Sequence, residues 1–236
     1  MNIILFILML ISAGNLIIVG WLKLAVVTFI FKCLSSSLFI ATAIFSYKKN
    51  PSNTKFFALM LSGLVFSFGG DVFLALDSIS KDFFAIGVAS FGIGHIMYSL
   101  GYSSMSKISL KDICMFLCFF IPTFLTIQWG DFEFNGMKNM IIFYAVIISF
   151  MVGKSLSMLK FYSISKKTIL LMVSGSMLFF ASDFVLLFSL FYPNVSSAAY
   201  ELRAVNLTLY YLGQGLLALS FAYPIKDNKE GRYSFT

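Results

Sequence analysis

The chain has 236 residues, 59% of them hydrophobic and 11% charged, and a formal net charge of +7. A soluble domain is usually about a quarter charged, so this composition, with a mean hydropathy of +0.92, excludes a water-soluble fold. The basic residues stand between apolar runs rather than in one patch, which excludes a nucleic-acid surface.

Eight apolar runs follow in chain order, over residues 2–21, 24–47, 56–76, 83–102, 112–129, 139–158, 168–191 and 203–223. Each is about the length that a helix needs to cross a bilayer. The period-2 alternation of a membrane barrel is absent, so the expected fold class is all-α, a polytopic membrane protein with eight transmembrane helices. Residues 1–236 are read as one transmembrane domain, with 224–236 as a cytoplasmic tail. The first run lacks a basic flank and is read as a membrane helix rather than a cleaved signal.

The connections between the runs alternate in charge. Lys48, Lys49, Lys55, Lys107, Lys111, Lys154, Lys160, Lys166, Lys167, Lys226, Lys229 and Arg232 fall on one side. Lys23, Lys81, Lys138 and Arg203 fall on the other, with Asp77, Asp82, Asp131, Glu133 and Glu201. The positive-inside rule then places both termini in the cytoplasm. The small size and the lack of a retention signal point to a bacterial inner membrane.

The third run carries SGLVFSFGGDVFLAL (62–76) and the seventh SGSMLFFASDFVLLF (174–188). Both open on Ser-Gly, with Phe three residues before an aspartate and Leu three residues after it. Asp71 and Asp183 are 112 residues apart, and the same offset pairs Tyr98 with Tyr210. An internal repeat of two parallel four-helix halves, roughly 1–110 and 111–223, is therefore expected. Chance similarity between apolar helices is the competing explanation.

Polar residues inside the runs are not scattered. Gly63, Ser67 and Asp71 recur every four residues, as do Asn206, Tyr210 and Gln214. His95, Tyr98 and Tyr102 share a face, and so do Ser176, Phe179 and Asp183. Spacings of three and four put side chains on one stripe of a helix, and four such stripes imply a polar interior. An ionisable group in hydrocarbon is costly and marks a candidate functional site. Lys32 lies inside the second run, about 12 Å from its end at 1.5 Å per residue. These groups are expected to meet in one cavity in the outer half of the bilayer. Simpler roles compete: an Asp–Lys pair that fixes helix packing, and polar side chains that join helices. The glycines are read as points of close helix approach, the phenylalanines as lipid-facing bulk, and Cys33, Cys114 and Cys118 as small packing residues. With one histidine in the chain, no metal site is expected.

Gly70-Asp71, Gly175 to Ser182-Asp183, His95 with Tyr98, and Tyr210 with Gln214, in this order along eight runs, resemble the YhhN family, whose members include lysoplasmalogenases. The family tends to carry Lys-Pro in its second span; this chain has Lys32-Cys33. The resemblance implies a hydrolase that cleaves the vinyl-ether bond of a lysoplasmalogen, a lysophospholipid substrate drawn from the lipid bilayer. The products would be a fatty aldehyde and glycerophosphoethanolamine or glycerophosphocholine. It implies Asp71 and Asp183 as catalytic residues, with Lys32, His95, Tyr98, Tyr210, Gln214 and Asn206 as substrate-binding residues and no cofactor.

That chemistry suits two carboxyl groups. Protonating the β-carbon of a vinyl ether gives an oxocarbenium-like cation, which a carboxylate stabilises while activating water, the division of labour of glycoside hydrolysis. Lys32 would suit the substrate phosphate, and His95 and the tyrosines would bind phosphate or position water. The sequence leaves open which aspartate carries the proton. Intramembrane acids in a twofold repeat equally fit an ion- or proton-coupled transporter.

Overall fold

The structure, a computed structural model, describes residues 1–160, 165–193, 195 and 198–223, with side chains for all of these but 81 and 160. The expected tail and its Lys226, Lys229 and Arg232 lie outside the described residues. Eight α-helices follow one another: α1 (Asn2–Trp21), α2 (Ala25–Lys49), α3 (Thr54–Ala75), α4 (Lys81–Met105), α5 (Leu110–Trp129), α6 (Lys138–Ser157), α7 (Lys166–Phe191) and α8 (Ala199–Leu219), with no strand among the described residues. Helices satisfy their backbone polar groups internally, which hydrocarbon demands. Their starts are written in polar residues. Asn53 accepts from Phe56 N at the head of α3, Ser80 accepts from Asp82 N at the head of α4, and Ser109 with Asp112 makes a reciprocal cap on α5.

Seven of the helices, α1 to α7, are long and apolar enough to cross a membrane. The chain is an integral membrane protein. α8 has 21 residues, ample length for a span, but Asn206, Tyr210, Tyr211 and Gln214 make it less apolar. Those four side chains are buried, so this part of the polarity of α8 points into the protein, while Glu201 and Arg203 in its first turns are exposed.

The packing order explains the interior. α2, α3, α4, α6, α7 and α8 touch in that order and close back on α2, making a ring of six helices. α1 lies outside the ring against α2 and α8, and α5 packs chiefly on α6. The main core runs through the ring, from Met9 and Phe39 to Phe179 and Leu217, and a smaller one around Ile127, Phe134 and Leu187 joins α5, α6 and α7. The α7–α8 crossing depends on glycine: a Cβ on Gly175 would lie 2.9 Å from the carbonyl oxygen of Gly213, and one on Gly213 would meet that of Gly175 equally closely. Backbones meet this closely only where there is no side chain.

Three expectations are corrected. Lys154 is not a loop charge: it is buried, and its ammonium donates to Asp112 at 3.1 Å and to the carbonyl of Lys107 at 3.0 Å. Two turns of helix turn it inward, toward an acid that also caps α5. Nor are the phenylalanines uniformly lipid-facing. Phe39, Phe56, Phe91 and Phe179 are buried, because a chain with so many aromatics packs some of them between helices. Cys114 and Cys118 are exposed on α5 rather than packed inside, since α5 stands outside the ring.

Candidate active site

The ring encloses a cavity of about 660 Å³. It opens at the end of the bundle that carries the α1–α2, α3–α4 and α7–α8 connections. Lys32, Asp71, Asp183, Asn206 and Tyr210 all line it. The expectation that intramembrane polar groups from several spans meet in one cavity therefore holds for these five. His95, Tyr98 and Gln214 do not reach it; they are fully buried in the layer behind.

Asp71 sits on α3 in a cradle of donors. Ser36 Oγ and Tyr210 OH each donate to its Oδ2 at 2.6 Å, and the Lys32 ammonium lies 3.4 Å from Oδ1. Ser36 also lies 3.4 Å from Tyr211 OH. The carboxyl is 2% exposed. One turn of α2 brings Lys32 and Ser36 to the same face, and α8 supplies Tyr210. Two hydroxyls and an ammonium converge on one carboxyl, and the neighbouring cation can balance a charge there where solvent is scarce.

Asp183 sits at the corresponding place on α7 with different company. Tyr144 OH, from α6, donates to Oδ2 at 2.5 Å. Tyr144 OH lies 2.8 Å from His95 Nε2, and that nitrogen is 3.5 Å from Asp183 Oδ2. Because the tyrosine proton goes to Asp183, its oxygen accepts from His95, which fixes the histidine proton on Nε2. His95 Nδ1 is then buried without a hydrogen-bond partner among the described residues. Phe179 packs edge-on against the imidazole, ring centres 4.5 Å apart, and against Tyr210 at 5.2 Å. Phe91 touches Phe179 and Tyr210 in turn. A wedge of two phenylalanines therefore packs beside the residues that serve the two aspartates. Asp183 also borders a small apolar groove of about 50 Å³ between α5, α6 and α7.

The remaining polar residues brace the site. Asn206 Nδ2 donates to the carbonyl and the hydroxyl oxygen of Ser182 at 2.9 and 3.0 Å, next to Asp183. Tyr98 OH donates to Gln214 Oε1 at 2.9 Å, and Tyr102 OH lies 2.8 Å from Ser176 Oγ. These two bonds tie α4 to α8 and α4 to α7 across the ring.

Sequence reasoning missed Ser36, Tyr144 and Tyr211. The spacing of the aspartates held a signal for one of them: Tyr144 stands 112 residues after Lys32, the same offset. Ser36 lies four residues from Lys32, so helical spacing put it on the same face. Nothing singled out Tyr211.

A ring of membrane helices around a cavity walled by two carboxyls, a lysine and a tyrosine defines a polytopic membrane protein with an intramembrane carboxylate site. A family model, the YhhN family, matches residues 27–221. The chain belongs to the YhhN family. No curated protein and no solved structure matches it.

Proposed function

We propose that this protein is a lysoplasmalogenase-type hydrolase, cleaving the vinyl-ether bond of a lysophospholipid to a fatty aldehyde and a glycerophospho-alcohol. The observation that carries the reading is the pair of aspartates lining one cavity, held by unlike partners in a YhhN-family chain. Asp183, with one hydrogen-bond donor and 14% exposure of its side chain, delivers a proton to the β-carbon of the vinyl ether. The electron pair of the double bond forms the new C–H bond, and the ether oxygen shares the positive charge left on the α-carbon. Asp71, cradled by Lys32, Ser36 and Tyr210, remains a carboxylate and balances that cation electrostatically. Water adds to the α-carbon and gives its proton back to Asp183 by way of the cavity. The hemiacetal then breaks its bond to the glycerol oxygen as its hydroxyl proton passes through cavity water to that oxygen, releasing aldehyde and alcohol. His95 and Tyr144 hold Asp183 in place rather than touch substrate.

The same proposal takes α8 as an eighth span, both termini as cytoplasmic and the bacterial inner membrane as the location. It takes the two halves as a repeat, supported by the ring order, which maps onto itself when each helix is replaced by the one four later. With Lys154 removed from the loop charges, the excess of basic residues on the terminal side persists. The cavity then opens on the outer face, toward the outer leaflet.

The test is aldehyde release from a lysoplasmalogen by the purified protein in detergent. Wild type is expected to release a long-chain aldehyde, and Asp71→Asn and Asp183→Asn to release none while retaining a wild-type size-exclusion profile. A folded wild type that releases no aldehyde removes the hydrolase reading; proton-coupled flux in liposomes, lost in the same variants, would replace it with a transporter.

A further inference from the structure

The cavity has a second set of charged residues at its mouth, which the catalytic scheme does not use. Arg203, Lys23 and Asp77 line it there, all exposed, together with Trp21 and Tyr200. The guanidinium of Arg203 and the ammonium of Lys23 make no ion pair or hydrogen bond among the described residues, whereas Lys32 and Lys154 are engaged with carboxylates. Deep in the cavity Lys32 therefore has a partner, and the unengaged positive charge lies at the mouth.

The backbone of Lys23 is the second observation. It has φ +55°, in the tight turn between α1 and α2. Among the described residues the other non-glycine positions with positive φ are Asn53 and Asn135, and asparagine tolerates that region while lysine is disfavoured there by about 1 kcal/mol. Glycine would relieve the turn without strain. A strained backbone position at a cavity mouth is grounds for a functional hypothesis, and here what glycine would lack is the charge.

The third observation is spacing. Tyr210, Asn206 and Arg203 line the cavity from one face of α8. Tyr210 holds Asp71 and Asn206 holds the Ser182 that precedes Asp183. At 1.5 Å per residue Arg203 stands about 4.5 Å above Asn206 and about 10 Å above Tyr210. In a glycerophospholipid five bonds separate the sn-1 ether oxygen from phosphorus, roughly 6 Å when extended, because bonds of about 1.5 Å advance only about 1.25 Å each along the zigzag. The rise along α8 from the residues that hold the aspartate region to Arg203 is of the same order as this separation.

We infer that the cavity mouth is a phosphate-binding site, built by Arg203 and Lys23, which holds a zwitterionic phosphate-ester headgroup while the ether bond lies at the aspartates. The identity of the substrate rests on the hydrolase reading above; the phosphate site rests on the mouth itself. Arg203 offers a planar fork of donors to phosphate and Lys23 a point charge. Asp77, on the same rim, suits the ammonium end of the headgroup and opposes a bare anion. This takes over the phosphate-binding role that the sequence suggested for Lys32.

The test compares two substrates on the purified full chain in detergent, a lysoplasmenylethanolamine and the neutral 1-alkenylglycerol without a phosphate. Arg203→Ala and Lys23→Gly are each expected to lower the ratio of kcat/KM for the phospholipid over the neutral substrate about ten-fold, the scale of one charge-assisted hydrogen bond. Lys23→Gly also removes the turn strain, so a lowered ratio with an undiminished Tm cannot be ascribed to misfolding. A ratio within about two-fold of wild type in both variants overturns the site. If wild type cleaves neither substrate, the hydrolase reading fails and the mouth is judged by Tm alone. Glycerophosphoethanolamine is then expected to raise the wild-type Tm more than inorganic phosphate does, and not to raise that of Arg203→Ala. No rise in wild type, or an equal rise in the variant, overturns the inference.

Discussion

Asp71 on α3 and Asp183 on α7 stand 112 residues apart, and their surroundings are unlike. On the α3 side the neighbour from α2 is Lys32, so the carboxyl is one half of an ion pair. On the α7 side the residue at the same offset is Tyr144, so the carboxyl takes a hydrogen bond from a neutral phenol. On the α3 side a further serine and tyrosine hydroxyl complete the cradle; on the α7 side a histidine stands behind the phenol. One difference in residue type, lysine against tyrosine, gives one carboxyl a cationic neighbour and the other a neutral one. Two like sites would give two like acids, while acid–base chemistry of the proposed kind needs unlike ones.

The comparison is most strongly tested at the carboxyls themselves. Asp71→Asn and Asp183→Asn should each lower aldehyde release by about a thousand-fold or more, the scale of removing a charge-stabilising group or a general acid. If either variant keeps more than a tenth of the activity in a quantitative aldehyde assay, that aspartate is not part of the chemistry.

The ion pair comes next. Lys32→Met leaves Asp71 charged and unbalanced, which should destabilise the protein by about 3–5 kcal/mol, read as a fall in unfolding free energy in mixed micelles, and should also impair activity. Adding Asp71→Asn should restore stability without restoring activity. A double variant as unstable as the single one would mean that Lys32 matters for packing rather than charge. Lys154 supplies the control, because its buried pair with Asp112 lies at the opposite end of α6 from the cavity mouth. Lys154→Met should cost a similar 3–5 kcal/mol and leave the turnover of each folded molecule intact. Equal activity losses in Lys154→Met and Lys32→Met would erase the distinction between a structural and a functional ion pair.

The smallest effect sharpens the comparison most. Tyr144→Phe removes the one hydrogen bond given to Asp183 and should lower kcat about ten-fold, since a hydrogen bond to a charged group is worth about 1.5–3 kcal/mol, with KM nearly unchanged. Tyr144→Lys should make the second site resemble the first and abolish aldehyde release while the protein stays folded. Retained activity in Tyr144→Lys would mean that the two aspartates need not differ.

Much of this was legible because hydrocarbon leaves polar residues conspicuous. Asp71, Asp183, Lys32, Asn206 and Tyr210 stood out by type alone, and helical spacing placed them on inward faces. The eight helices followed from apolar length, with α8 beginning at Ala199 rather than 203 because its first turn is polar. What escaped the sequence was which polar residue meets which. Tyr144 looks like any aromatic in a membrane helix until its hydroxyl is seen on Asp183. Lys154 looks like a loop charge until Asp112 is seen beneath it. Arg203 and Lys23 read as connections between spans, and only the cavity shows that they share a mouth. Partner choice across a ring depends on tertiary packing, and local periodicity carries no trace of it.

The central claim is that one of two intramembrane carboxyls gives a proton to carbon. It is tested most directly by running the wild-type reaction in D2O, trapping the aldehyde at once and reading its mass. One deuterium at C2 of the aldehyde, with no product from Asp183→Asn, is the predicted result. Aldehyde without deuterium at C2, or deuterated aldehyde formed at wild-type rate by Asp183→Asn, would contradict it.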